Sequence, residues 1–114
     1  MATCVPAPAC RAALKEATIL APHRLTGADG ICSSAAHMAA SPNSDHNTGN
    51  AWDLTHDPAG GCDAHALAQL IVGRKDKRIK YVISQGKIWN PSVSPLWRPY
   101  TGTDPHTGHI HVSI

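Results

Sequence analysis

The sequence predicts a small α+β domain, with two or three helices packed on an antiparallel β-sheet and a metal site on the sheet face. Three observations predict it. Strand-like runs fall at 50–56, 80–84, 87–89 and 109–114, two of them joined by a Gln85-Gly86 turn. Helix-period segments fall at about 9–20 and 64–73. Histidines cluster: three of the eight lie in the last nine residues, and another sits in the stretch Ser44-Asp45-His46-Asn47-Thr48-Gly49-Asn50-Ala51-Trp52-Asp53. The 114 residues suit one domain, 1–114, able to bury a core of its own.

Taken in order, residues 1–8 carry two prolines and read as an irregular lead-in. Residues 9–20 read as an amphipathic helix that turns Leu14, Ala17 and either Ile19 or Leu20 inward and stops at Pro22. Residues 23–45 are rich in turn formers, with a short helix at Ser33–Ala40. Alternation along 50–56 puts Ala51, Asp53 and Thr55 on one face and Trp52, Leu54 and His56 on the other. Asp57-Pro58-Ala59-Gly60-Gly61 is a turn cluster. Asp63 then caps a helix over 64–73, with Leu67, Leu70 and Ile71 on its apolar stripe. The hairpin follows. Residues 90–105 hold four prolines and read as a long irregular loop before the closing strand.

Composition excludes several classes. A hydrophobic fraction of 42% and a charged fraction of 16% fit a globular protein and not a disordered one. Phe is absent, so the core leans on Leu, Ile, Val, Ala and the three tryptophans. A net charge of +2 is too weak for a nucleic-acid binder, and the basic run at 74–78 is broken by Asp76, as in a solvated helix end. A mildly basic surface still suits an anionic polymer such as a bacterial cell wall. No apolar run reaches membrane-spanning length, and the first residues lack the basic and apolar regions of a signal peptide. Cys4, Cys10, Cys32 and Cys62 contain no C-x-x-C, so they read as disulfides or as buried thiols rather than as a zinc finger.

The chemistry lies in the histidines. His46 and Asp53 are seven apart, which fits a ligand on a loop, a turn at Gly49, and a second ligand on the inward face of the next strand. His109 and His111 are two apart on a strand and project from the same face. A neighbouring strand would bring these groups together. The reading is three protein ligands, His46, Asp53 and either His109 or His111, with a fourth position for water. The remaining histidines would then handle protons.

The pattern Ser44-x-His46-x-x-Gly49-x-Ala51-x-Asp53 followed by His109-x-His111 resembles the signature of zinc peptidases that include D-alanyl-D-alanine carboxypeptidases, lysostaphin-like endopeptidases and the hedgehog signalling domain. The resemblance covers about residues 35–114. It implies a Zn²⁺ ion on His46, Asp53 and His111, with His109 as the catalytic partner. The carboxypeptidase branch usually carries a glutamate shortly before the last ligand. Here position 108 is Gly and position 106 is His. The layout His106-x-x-His109-x-His111 is closer to penicillin-insensitive murein endopeptidases, with Asp104 as the one nearby carboxylate. The segment Trp97-Arg98-Pro99-Tyr100-Thr101-Gly102, running into Asp104-Pro105-His106, also resembles small peptidase domains from phages of actinobacteria, where the module serves as an endolysin.

The resemblance therefore implies a monomeric zinc metallopeptidase that cuts peptidoglycan stem peptides or cross-bridges. His109, His106 and Asp104 are its expected catalytic residues. Arg24 or Arg98 is expected to hold a substrate carboxylate or the oxyanion, Ser44 and Tyr100 to contact substrate, and Trp89 and Trp97 to line the cleft. His56, on the face opposite Asp53, is read as a non-ligand. The protein is expected to be made in a host cytoplasm and to act on the wall after release or as part of a virion. The rival expectation is a zinc-containing wall-binding module without catalysis.

Overall fold

A computed structural model describes residues 4–114. Residues 4–7 are irregular, as the lead-in predicts, and its first three residues lie outside the described part. The elements follow the expected α+β order: α1 (Pro8–Leu20), α2 (Ala35–Ala40), β1 (Ala51–Thr55), α3 (Ala64–Arg74), β2 (Tyr81–Ser84), β3 (Lys87–Trp89), β4 (Arg98–Pro99) and β5 (His109–Ser113). The strands form one antiparallel sheet in the order β1-β5-β2-β3-β4. The closing strand thus lies inside the sheet, between β1 and β2.

Local chemistry explains the boundaries. Pro8 opens α1, where its missing N–H costs nothing. Asp63 caps α3 by accepting from the Ala66 N–H at 3.0 Å, as the sequence predicts. Gln85 and Gly86 both have positive φ, 50° and 73°, which is the two-residue turn that matches strand twist. β4 was not expected within the 90–105 loop. It is two residues long and includes Pro99, which an edge strand tolerates because its N–H side needs no partner.

Alternation in the strands sorts the sheet into two faces. Trp52, Leu54, Val82, Trp89, Ile110 and Val112 point to one side and form the core with Cys10, Cys62, Ala64 and Ala68. Helices α1 and α3 cover that side through Ala13, Leu14, Ala17, Leu67, Ile71 and Val72. The opposite face carries Asp53, Thr55, His109 and His111. Trp89 belongs to the core and donates its indole N–H to the Pro95 carbonyl at 3.3 Å, so it does not line a cleft; Trp97 packs at the core's margin.

Three helix positions depart from expectation. Ile19 and Leu20 are 66% and 85% exposed, because the helix ends there and the next residue, Ala21, takes the buried position. Leu70 is 61% exposed. The buried stripe of α3 centres on Ala64 and Ala68, and Leu70 lies about 120° round the helix from Ala64. Small alanines on the stripe let the helix lie close to the sheet.

The cysteines divide between the two expected fates. Cys4 and Cys32 form a disulfide, whereas Cys10 and Cys62 are buried thiols whose burial pushes their pKa values up.

Leu54→Ala should lower unfolding free energy by about 2–5 kcal/mol in urea titration, whereas Leu70→Ser should stay within about 0.5 kcal/mol of the parent.

Candidate metal centre

Each side chain of the centre is set by a different element. Ser44 caps a short 3₁₀ turn over Asp45–Thr48 by accepting from the His46 N–H, and His46 sits on that turn. Gly49 ends it in the left-handed region, φ 77°, and donates its N–H back to the His46 carbonyl at 3.2 Å. A Cβ at Gly49 would run into the Val5 carbonyl, so the glycine of the motif is required twice over. β1 then presents Asp53, and antiparallel pairing sets His111 of β5 directly opposite it.

The three groups meet. His46 Nε2 is 3.2 Å from Asp53 Oδ1 and 3.1 Å from His111 Nδ1, and His111 Nδ1 is 3.2 Å from the same carboxylate oxygen. A tetrahedral ion with bonds of about 2.0 Å to imidazole nitrogen and carboxylate oxygen needs ligand atoms about 3.3 Å apart. The triangle therefore has the dimensions of one tetrahedral face, and His46, Asp53 and His111 are positioned to hold a metal ion.

Hydrogen bonds behind the rings select the right tautomers. The Ile31 carbonyl, 2.6 Å from His46 Nδ1, can only accept, so the neutral ring is protonated there and Nε2 faces the site bare. His111 Nε2 lies 2.7 Å from Ser113 Oγ; when it donates there, Nδ1 is left bare. Tyr81 stacks on the His111 ring at 5.2 Å and fixes its plane. Such backing is how metal-binding imidazoles are oriented. Three electron-pair donors then face one another across about 3 Å. Only a cation among them, a metal ion or a proton, relieves that repulsion.

The titration behaviour reflects the same crowding. Burial alone would raise the Asp53 carboxyl, but when a proton rather than an ion occupies the triangle, hydrogen bonds from the His111 and His46 rings outweigh burial and hold the group well below the usual carboxylate range. Burial would lower His46, but the bond to Asp53 and its charge outweigh that and raise it.

A second histidine pair lies beside the triangle. His109 Nε2 is 3.8 Å from Asp53 Oδ2 and 3.7 Å from Asp104 Oδ2. The His106 and His109 rings are 4.6 Å apart. His106 adopts a left-handed backbone, φ 57°, and is buried, with its N–H donating to Asp104 Oδ1 and Nδ1 2.7 Å from the Asp104 carbonyl. The edge of Tyr100 packs on His106, ring centres 5.7 Å apart.

The remaining expected residues separate. Ser44 acts as a cap. Arg98 pairs with Ile88 and, through Ile88↔Ile83 and Ile83↔His111, shares a row and a face with His111 and Asp53. Its Nε is buried and has no hydrogen-bond partner among the described residues. Arg24 does not contact substrate space. Its guanidinium is 1% exposed and holds both oxygens of Asp29, at 2.9 and 2.6 Å, besides the Thr18 hydroxyl. His56 lies outside the triangle, where its Nδ1 accepts from the Ala64 N–H at 3.2 Å.

Four contributors had no signal in the sequence. Asp29 accepts from the Thr55 N–H and hydroxyl at 3.0 and 2.8 Å, and neighbouring Gly30 exchanges backbone hydrogen bonds with Asp53. This pins the loop whose Ile31 carbonyl backs His46. His65 of α3 is buried, with one ring nitrogen 2.6 Å from Ser84 Oγ and the other 2.8 Å from the Thr107 carbonyl, so it ties the loop before β5 to the helical layer. His37 packs its edge on His46 at 6.3 Å and, with Gly30, Ser33 and Ser34, walls a cleft of about 250 Å³ that opens on His46 and Asp53.

Residues 11–111 match the family described as VldE, C-terminal domain. The chain belongs to that family. The match spans the metal triangle and the second histidine pair together. Comparison with curated proteins and with solved structures gives no match. Within the VldE C-terminal domain family, this member's site is therefore read from its own geometry.

Arg24→Ala should remove about 2–3 kcal/mol of stability, because it strands a half-buried carboxylate. It should also weaken metal binding about 10–100-fold, measured by competition with a chromogenic chelator, since the Ile31 backing loosens. Asp29 is held below its ordinary 3.8: burial alone would raise it, but the Arg24 and Thr55 bonds prevail. The parent's stability from this pair is thus complete above about pH 4 and fades as pH falls through the lower folded value, a slope that urea titrations of Arg24→Ala should lack.

Proposed function

We propose that the protein is a zinc-dependent peptidase that hydrolyses amide bonds in the stem peptides or cross-bridges of bacterial peptidoglycan, an endolysin-like wall-degrading activity. One observation carries this reading: a three-ligand metal triangle and a separate imidazole, His109, share one open sheet face with the Asp53 carboxylate between them. Two imidazoles and a carboxylate in tetrahedral geometry suit zinc, and three protein ligands keep one position for water or substrate. A purely structural site would be closed by a fourth protein ligand.

His46, Asp53 and His111 would hold the ion, which when bound supplies Lewis acidity toward a water molecule and the scissile carbonyl. His109 then handles the proton. Its Nε2 faces the oxygen of Asp53 that the triangle does not use, at 3.8 Å, and Asp104 stands on its other side at 3.7 Å. It accepts the proton of the attacking water and returns it to the leaving amine, and the two carboxylates stabilise the imidazolium between these transfers. An imidazole both accepts and returns a proton, so both transfers run without a glutamate. His106, locked through its Nδ1, presents a bare Nε2 beside His109 and is placed to accept a proton as a second base.

The cleft walled by Ser33, Ser34 and His37 receives one arm of the substrate. Arg98 lies three strands from β5 on the same face, about 14 Å away at ordinary strand spacing. An extended peptide covers that span with about four residues, so Arg98 suits a carboxylate several residues from the cut bond. The net charge of +2 favours approach to an anionic wall.

Purified protein should carry zinc, and its digest of peptidoglycan should show new free amines by mass spectrometry, abolished by chelation. A zinc-loaded protein that binds walls but releases no amine would replace the peptidase with a binding module. His109→Ala should keep zinc and lower kcat about 10²–10⁴-fold. Arg98→Ala should raise KM and leave kcat nearly unchanged.

A further inference from the structure

The metal triangle uses one oxygen of Asp53 and leaves the other facing a second set of donors. Asp53, His109 and His106 each offer a ligand atom, and these atoms lie within 4.8 Å of one another. The Asp104 carbonyl holds His106 Nδ1 at 2.7 Å, so the neutral His106 ring presents a bare Nε2. His109 Nε2 stands between two carboxylates, 3.8 Å from Asp53 Oδ2 and 3.7 Å from Asp104 Oδ2, closer than unrelated side chains sit yet beyond hydrogen-bond length. The cluster is preassembled: His106 is buried in a left-handed backbone, and the loop carrying it is tied to α3 by His65 through the Thr107 carbonyl. Two imidazoles and a carboxylate oxygen make a second donor set of the same chemistry as the first.

We propose that Asp53 Oδ2, His106 and His109 form a second divalent-cation site that shares the Asp53 carboxylate with the first, and that filling it switches the enzyme off. Carboxylate-bridged ion pairs are about 3.5–4 Å apart, a separation that one carboxylate spans through its two oxygens. The second site is the weaker one for three reasons. Its donors must close in from as much as 4.8 Å, whereas the first triangle already measures 3.1–3.2 Å. His109 has no anchor comparable to the Ile31 carbonyl behind His46. The second cation also meets the field of the first, with Asp104 as the additional carboxylate beside His109. The switch follows from the residues consumed. An imidazole whose lone pair is ligated takes no proton, so a cation on His109 and His106 removes the proton handling and leaves the first ion in place. This second half rests on the peptidase reading, whereas the binding half does not.

The test is calorimetric titration of the chelator-stripped full chain with zinc chloride, with bound metal counted by mass spectrometry. Two events are expected, the second about 10–100-fold weaker. With cobalt(II) as probe, the spin signal of the first equivalent should lose intensity as the second binds, because a shared carboxylate couples the two ions. His106→Gln should keep the first event and lose the second; if that variant fails to fold by circular dichroism, His109→Gln takes its place. A single event at large zinc excess would overturn the site. So would a second event that survives in both variants, or two cobalt ions without magnetic coupling. In peptidoglycan digests, amine release should rise with the first equivalent and fall with the second. Undiminished release with both sites filled would overturn the switch. Two coupled ions with no amine release at any zinc level would overturn the peptidase reading and leave the shared-carboxylate site standing.

Discussion

The site depends on one cross-strand pair, Asp53 of β1 opposite His111 of β5. Side chains alternate along a strand, so a slip of one residue in this register would turn both ligands into the core and bring Trp52, Leu54, Ile110 and Val112 out to solvent. Burial of those four residues therefore enforces the ligand geometry. The metal face is polar because the other face is apolar, and the same hydrogen-bond ladder serves both. This coupling lets a chain with no Phe and a modest core hold three electron-pair donors at mutual distances of 3.1–3.2 Å.

Much of this was legible in the sequence because it is local or periodic. The alternation of 50–56 assigned Asp53 to one face, the two-residue spacing of His109 and His111 put both on a common face, and Gln85-Gly86 marked the hairpin. The parts that were not legible rest on long-range or backbone partners. Arg24 reads as a free cation until Asp29 and Thr18 are seen to hold it. The Ile31 carbonyl that orients His46 has no side-chain signature. His65 gave no sign of its role, since its partners, Ser84 and Thr107, come from distant segments. Leu70 and Leu20 were misassigned for a different reason: the stripe of a helix is chosen by what it packs on, and here alanines are what the sheet admits.

Rigidity around the ligands has two sources on opposite sides. The Arg24–Asp29 pair clamps the 28–31 loop to the end of β1, and the Cys4–Cys32 disulfide ties the next residue of that loop to the segment preceding α1. The same segment passes over Gly49, with the Ala7 N–H donating to the Gly49 carbonyl at 2.8 Å, so it braces the turn that carries His46 from outside. A metal ion prefers a fixed cage, and both braces hold the cage before any ion arrives.

The position of β5 has a consequence for how the molecule is made. The strand is last in chain order and yet lies inside the sheet, with β1 on one side and β2 on the other. Until it docks, β1 and the β2-β3-β4 meander share no ladder, and each presents an unpaired edge. A growing chain thus carries two half-sheets that only a non-local contact unites, which slows folding and leaves the intermediate open to strand-pairing with its neighbours. His109 and His111 enter on that same strand, so the metal triangle, the second histidine pair and the continuous sheet come into being in one step. A metal-binding face assembled this way appears only in a chain whose architecture has closed.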